Sequence, residues 1–391
     1  MRGVNPIRIR RRGARGQSGL RLWPVGSVLV LAFLAAIAVA GSVFYAGWDL
    51  LGVQGVKTER RLDSKTLFDL VKLSFGVVAG SGALVALIVA YRRQRVDEDG
   101  AMRDATRLHN ERFATAVSQL GETSPAVRLG GVHALAGLAD DAPTRALRQT
   151  CIDVLCAYLR LPYTPEGQLP DGDVAAQHEH LALREVRHTI IRLIRDHLRL
   201  DAGHPHSWQG HDLDFTGAVF DGKHVSFVGS AFSGGNISFA DAVFATGGID
   251  FGDCSFRGAN VSFEGCTFAT SPVSFAGATF SSGFISFDGA TFASSSVNFG
   301  GTTFAGGSVS FLGAAFSGSA VGFLHSTFSG GRIDFEEASF SGGQLHFGYA
   351  HFEGTRVELT AHFTDCPVVF TDATFTDGND LSQTIRGASA S

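Results

Sequence analysis

From Phe215 onward phenylalanine returns every twelve residues, and a chain that does this cannot fold as an ordinary globule. The first series is Phe215, Phe227, Phe239, Phe251, Phe263, Phe275, Phe287, Phe299, Phe311, Phe323, Phe335 and Phe347. A second series, offset by five, is Phe220, Phe232, Phe244, Phe256, Phe268, Phe280, Phe292, Phe304, Phe316, Phe328, Phe340 and Phe352. Two residues before each first-series Phe from Val225 to Leu345 stands Val, Ile or Leu, and two before each second-series Phe stands a small residue such as Ala278, Cys254 or Thr302. Side chains two apart in a strand share a face, so each repeat supplies two short strands, "VSF" and "ATF", whose outer residues point inward. Gly and Ser fill the corners, where the chain reverses. A twelve-residue unit cannot bury its own Phe, so successive units must stack into a solenoid. The excess of Gly (49) and Phe (33) follows from this repeat.

The units "VSFAG" and "ATFSS" plus a two-residue extension, from 213 to about 376, resemble the pentapeptide-repeat family. The lead-in segments "NERFATAVSQLG", "AVRLGGVHALAGLADD", "RQTCIDVLCAYLRLPY" and "SWQGHDLDFTG" look like those of actinobacterial membrane-associated members. The resemblance implies a right-handed four-sided β-helix lined by large and small residues in alternation. The 5+5+2 repeat departs from the family's five-residue beat. A four-sided coil then takes 24 residues, giving about six coils and about 29 Å of stack at ~4.8 Å per coil; a flat coil of twelve would be about twice as long. The four-sided coil is favoured, because Phe-x-x-Ala is the family's spacing for a square corner. Cys254 and Cys266, in the small slots of consecutive repeats, would be neighbours in the short coil and lie on opposite walls in the long one. From Leu359 to Phe363 the spacing falls to four, and a polar tail follows: a modified last coil that caps the stack. The helix around Val186 to Leu198 is expected to cover the other end.

Upstream, seven Arg lie in the first 21 residues, and "PVGSVLVLAFLAAIAVAGSVFYAG" (24–47) follows without a charge, long enough to cross a hydrocarbon core of ~30 Å. A second apolar segment, Phe68 to Tyr91, has Asp69 and Lys72 only in its opening turns and stops at "RRQR". Arginine outside both spans places both termini in the cytoplasm, although Lys57, Arg60, Arg61 and Lys65 in the connecting loop weaken the asymmetry. The competing reading is a signal peptide cleaved at "AVAGS". Gly76 and Gly80 have the spacing of a dimerisation face, against simple packing of the two spans.

Between the membrane and the repeats the apolar period becomes helical. Val127, Leu129, Val132, Leu135 and Leu138 form one stripe; Leu147, Cys151, Ile152, Leu155, Tyr158 and Leu159 a second; Val186, Ile190, Leu193, Ile194 and Leu198 a third. The first two helices resemble a degenerate HEAT-type pair. The five cysteines show no disulfide framework and read as reduced thiols. His178, His180, His188, His197, His204, His206 and His211 are numerous, but their spacing matches no metal motif.

The chain thus divides into a basic cytoplasmic tail (1–23), a first transmembrane helix (24–47), an external loop (48–67), a second transmembrane helix (68–91), a cytoplasmic helical region (92–206), the β-helix (207–376) and a polar tail (377–391). No catalytic residue, cofactor or metal is expected. The expected partners are the lipid bilayer of the plasma membrane and an unidentified protein, which makes the chain a non-catalytic scaffold. A homodimer through the transmembrane helices or the C-terminal end of the β-helix is the further expectation. Two other readings compete. Some soluble pentapeptide-repeat proteins mimic DNA and inhibit type II topoisomerases such as gyrase, and from His211 on 17 acids face five bases here. Between Phe268 and Gly331, however, Asp288 stands alone among Asp, Glu, Lys and Arg, so no continuous acidic stripe forms and nucleic-acid mimicry is disfavoured. A row of Thr267, Thr279, Thr291 and Thr303 resembles an ice-binding ladder, but a solvated sheet face accounts for it better.

Overall fold

The computed structural model describes residues 64–376 except 171, 222–224, 270–271, 294–295 and 355, together with eight helical residues between Leu34 and Asp49. Two units, Met1–Arg103 and Asp104–Ser391, make up the chain.

In the first unit the described residues contain one helix long and apolar enough to cross a membrane; most of the first span expected at 24–47 and of the loop expected at 48–67 lies outside them, and residues 64–67 of that loop already belong to the helix. That helix belongs to α1, Ser64–Leu120, and continues through the boundary expected at Tyr91. Nothing in "RRQRVDEDGAMRDATRLHNERF" stops it: the segment has no Pro, only Gly100, and many strong helix formers. The polar opening turns satisfy themselves, with Lys72 Nζ 3.8 Å from Asp69 and 4.7 Å from the centre of the Phe68 ring.

In the second unit, three further helices precede the repeats: α2 (Pro125–Asp140), α3 (Arg145–Leu159) and α4 (Val174–Leu198). Val132, Leu135, Leu138, Cys151, Ile152, Leu155, Val186, Ile190 and Ile194 of the three stripes are buried together. Val127 is 40% exposed and drops out. Helix α4 starts nine residues before the expected "LREV" because Asp173 caps it, accepting from the Ala176 N–H at 3.0 Å, and because "VAAQHEHLA" propagates a helix without an apolar stripe. Helix α2 meets the end of α1 backbone to backbone: a Cβ on Gly131 would lie 2.7 Å from Leu120 N and 2.9 Å from Ala116 O.

The repeats form a β-solenoid of parallel, stacked strands, and the register sets the coil length. Leu213 pairs with Ile237, Ile237 with Val261, and so on to Val357, always two repeats on. A second ladder runs through Phe220, Phe244, Phe268, Phe292, Phe316 and Phe340 to Phe363. The third joins Val225 to Val368, and the fourth Phe232 to Phe375. The second and third are separate seven-stranded sheets; the first and fourth fuse, because the strands Ser255–Ser262 and Thr279–Ser286 run on round a corner. All 24 repeat phenylalanines are at most 2% exposed. Rings one coil apart stack at centroid distances from 4.5 Å (Phe316 and Phe340) to 5.3 Å (Phe227 and Phe251), while rings of adjacent repeats, such as Phe275 and Phe287 at 5.6 Å and 89°, meet edge to face.

Each short corner is one repeated turn. After Phe275 the Ala278 N–H returns to the Phe275 carbonyl at 3.0 Å and Gly277 takes φ 69°, the signature of a type II turn. The middle residue of each "VSF" strand serves this turn: Ser274, Asp250 and Asn298 accept from the N–H two residues on at 3.4, 2.8 and 2.8 Å. The spacing of four at Leu359 to Phe363 is a corner one residue shorter, with Ala361 still buried; from there partners are 23 apart, as in Phe340 with Phe363.

The N-terminal edge of the stack is closed by helix side chains. Arg187 donates to Val219 O at 2.6 Å, His188 Nε2 to Asp221 O at 2.9 Å, Arg199 to Val228 O at 2.6 Å and Gln149 to Asp212 O at 2.7 Å; Arg145 donates to Gly210 O. The expected cover by the helix around Val186 to Leu198 is therefore present, with α3 sharing the task.

Candidate interaction surface

Polar small-slot residues point inward and bond to the coil beneath. Cys254 Sγ donates to Phe227 O at 3.0 Å, Cys266 Sγ to Phe239 O at 2.8 Å, Thr302 to Phe275 O at 2.9 Å and Ser326 to Phe299 O at 2.6 Å, each 27 residues back. Burial pushes the Cys254 and Cys266 thiols up to about 12, so they stay protonated donors. With a 24-residue coil the two cysteines sit half a coil apart. Ser230 is the exception: the same step back leads to Gly203, before the first coil, and its hydroxyl is buried without a partner among the described residues.

The outward positions are mostly Ser, Thr, Gly and Ala. The threonine row splits: Thr267 and Thr291 pair in the second ladder, whereas Thr279, Thr303 and Thr327 pair in the fourth. A 24-residue coil sends alternate repeats to different faces, so the row of four foreseen from the sequence is two shorter rows.

Against this plain background one corner column stands apart. At the residue after the third-ladder Phe and the next one, the coils carry in turn Val228-Gly229, Gly252-Asp253, Ala276-Gly277, Gly300-Gly301, Leu324-His325, Gly348-Tyr349 and Thr371-Asp372, with Asp253 and Asp372 also at positive φ. His325 and Tyr349 hold φ of 56° and 54°, where Gly277 and Gly301 hold 69° and 65°. An L-residue there costs about 1 kcal/mol or more. The two rings stack at 4.9 Å and 13°; Leu324 and Tyr349 remain 40% and 52% exposed. The signal was legible as bulky residues at a glycine position of the repeat, but only the register shows that the two meet.

The histidines foreseen as numerous are dispersed among structural roles. His197 Nε2 bonds Asp140 at 3.1 Å and stacks on Trp208 at 4.1 Å; Trp208 Nε1 donates to the same carboxylate at 3.2 Å. His180 lies 3.3 Å from Tyr163 Oη and 3.7 Å from buried Asp221, which also accepts from Glu166 N at 2.9 Å. His211 bonds Gln149 at 2.9 Å, and burial with Arg145 and Arg148 pulls it down to about 4. Cys151 Sγ and His109 Nε2 lie 3.8 Å apart, but burial raises the thiol to about 11 and lowers the imidazole, the opposite of an activated thiolate pair. Among the described residues the acid group with atoms close enough for a metal is Asp334, Glu336 and Glu358. Arg332 occupies two of its members, at 2.8 Å from Asp334 and on Glu358.

No protein-family model, curated protein or solved structure matches the chain.

Proposed function

We propose that this chain is a membrane-anchored, non-catalytic scaffold of the pentapeptide-repeat type, whose solenoid holds a protein partner at the Leu324, His325 and Tyr349 corner. The observation that carries the reading is the stacked pair of His325 and Tyr349, exposed on a corner beside Leu324. Exposed aromatics on a rigid scaffold are the side chains that dominate protein interfaces. Elsewhere the outward side chains are mostly short and polar, many of them engaged in corner hydrogen bonds, with Phe284 and Leu312 as further exposed apolar side chains but without an aromatic partner stacked on them. The four ladders and the 24-residue register support a four-sided coil, right-handed as in the family that the motifs resemble.

The anchor is a two-helix hairpin, residues 24–47 and 68–91, with both termini and the repeats in the cytoplasm of an actinobacterial plasma membrane. The apolar part of α1 and the arginines that follow it support the second span and its orientation. Gly76 and Gly80 would serve a homodimer through the membrane helices. DNA mimicry remains the second reading on the sign of the charge alone; the middle of the stack, where Asp288 is the lone acid between Phe268 and Gly331, weighs against it.

Proximity labelling from the C-terminal tail in native cells tests the scaffold. The expected result is capture of one protein that is lost both without residues 211–391 and with L324D/Y349D. Capture of gyrase that persists in L324D/Y349D would instead support mimicry. Equal capture by the wild type and both variants would overturn the scaffold reading.

A further inference from the structure

The two ends of the stack differ. At the first coil, α3 and α4 lie over the edge and Phe215 is fully buried. At the last rung Phe363, Phe370 and Phe375 are only partly buried, as are Val368 and Ala373, although the rings stack on Phe340, Phe347 and Phe352 at 5.0, 5.1 and 4.9 Å. Among the described residues each of those three rings has a stacking neighbour on one face only. An apolar ladder end beside unpaired strand edges is the feature that solenoids must cover.

The chain itself leaves from this rim, at Thr376, with residues 377–391 still to come. Fifteen residues reach about 50 Å when extended, several times the ~10 Å of a three-residue strand. In "DGNDLSQTIRGASAS" the large apolar residues are Leu381 and Ile385, four apart, and their neighbours are polar. The apolar face that α4 turns to the core is spaced in the same way, at Val186, Ile190 and Ile194. We infer that residues 377–391 cover the last rung, Leu381 and Ile385 setting against Phe363, Phe370 and Phe375 while the polar residues face water. The tail is then the counterpart of α4, and the surface left for a protein partner lies on the sides of the stack rather than at its end. This cap does not depend on the scaffold reading.

The test uses the full-length protein in detergent micelles. Replacement of Leu381 by the photo-crosslinker benzoylphenylalanine is expected to give links to residues 356–376 within one chain, identified by mass spectrometry. In L381D/I385D, amide exchange of residues 356–376 is expected to rise at least fivefold, with residues 239–323 unchanged. Links to the same rung of a second chain, with a dimer mass on light scattering, would overturn the cap in favour of a second copy. Absence of any link to 356–376 would overturn it outright. Because the crosslinked chain is otherwise unaltered, it decides the matter even where the double variant fails to fold.

Discussion

A hydroxyl in the small slot stabilises the stack only where a coil lies beneath it. Thr302 and Ser326 have such a coil, and Ser230 does not. Thr302→Val should therefore cost about 1 kcal/mol, the net contribution of one hydrogen bond. Ser230→Ala removes a buried, unpaired group and should leave stability unchanged or raise it by up to about 1 kcal/mol. Thermal unfolding of the two variants side by side checks the contrast, and equal losses would contradict it. Phe287→Ala opens a cavity in a ladder whose rings pack on both faces, and should cost about 3–5 kcal/mol in the same assay. That Phe and the small residue line the interior was legible from the five-and-seven spacing alone. The hydrogen bond from the small slot to the coil beneath was not, because it joins residues that meet only when the coil length is known.

Among the elements, the helices meet at contacts with little room to adjust. Gly131→Ala would drive a Cβ into the backbone of α1, so α1 and α2 must separate; a loss of about 1–3 kcal/mol is expected from such overpacking. Denaturant unfolding of the full chain measures it. The knot between α2, α4 and the loop before the first coil adds a pH dependence. Burial lowers the His197 imidazole, but the hydrogen bonds to Asp140 and Leu193 O and the charges of Asp140 and Asp196 outweigh it, leaving its pKa above 6.5. Burial likewise raises Asp140, and the His197 and Trp208 hydrogen bonds with the charges of His197 and His206 bring it below 3.8. His197 thus contributes stability that is full below 6.5 and fades as pH rises through its folded value; Asp140 contributes above 3.8 and fades as pH falls through its own. Wild-type stability measured against H197Q should show the difference shrinking from pH 6 to pH 9. The helices were visible as apolar stripes, but the first turns of α4 and the continuation of α1 past Tyr91 were not: both are held by caps and helix propensity, which leave no periodic mark.

At the scale of the molecule the solenoid behaves as a one-dimensional array, in which each coil rests on its neighbours. Excising residues 273–296 removes one coil and returns every later residue to its own ladder. The far-ultraviolet spectrum should be retained and Tm should change by less than about 5 °C. Excising three residues instead would set every later Phe at outward and corner positions, such as those of Gly229 and Gly277, and should abolish cooperative unfolding. Circular dichroism melts of both deletions distinguish an array from a globular core.

The sequence by itself determined the repeat, the inward set of Phe, aliphatic and small residues, the Gly-bearing corners and the apolar segments near the N-terminus. Each follows from local periodicity and chain geometry, which a single repeat already contains. Tertiary structure decided that one coil takes two repeats, which faces Thr279 and Thr291 share with other threonines, which carbonyls Arg187, Arg199 and Gln149 cap, and that His325 stacks on Tyr349. A twelve-residue period fits a coil of one repeat or of two, and only hydrogen-bond pairing between distant residues selects between them.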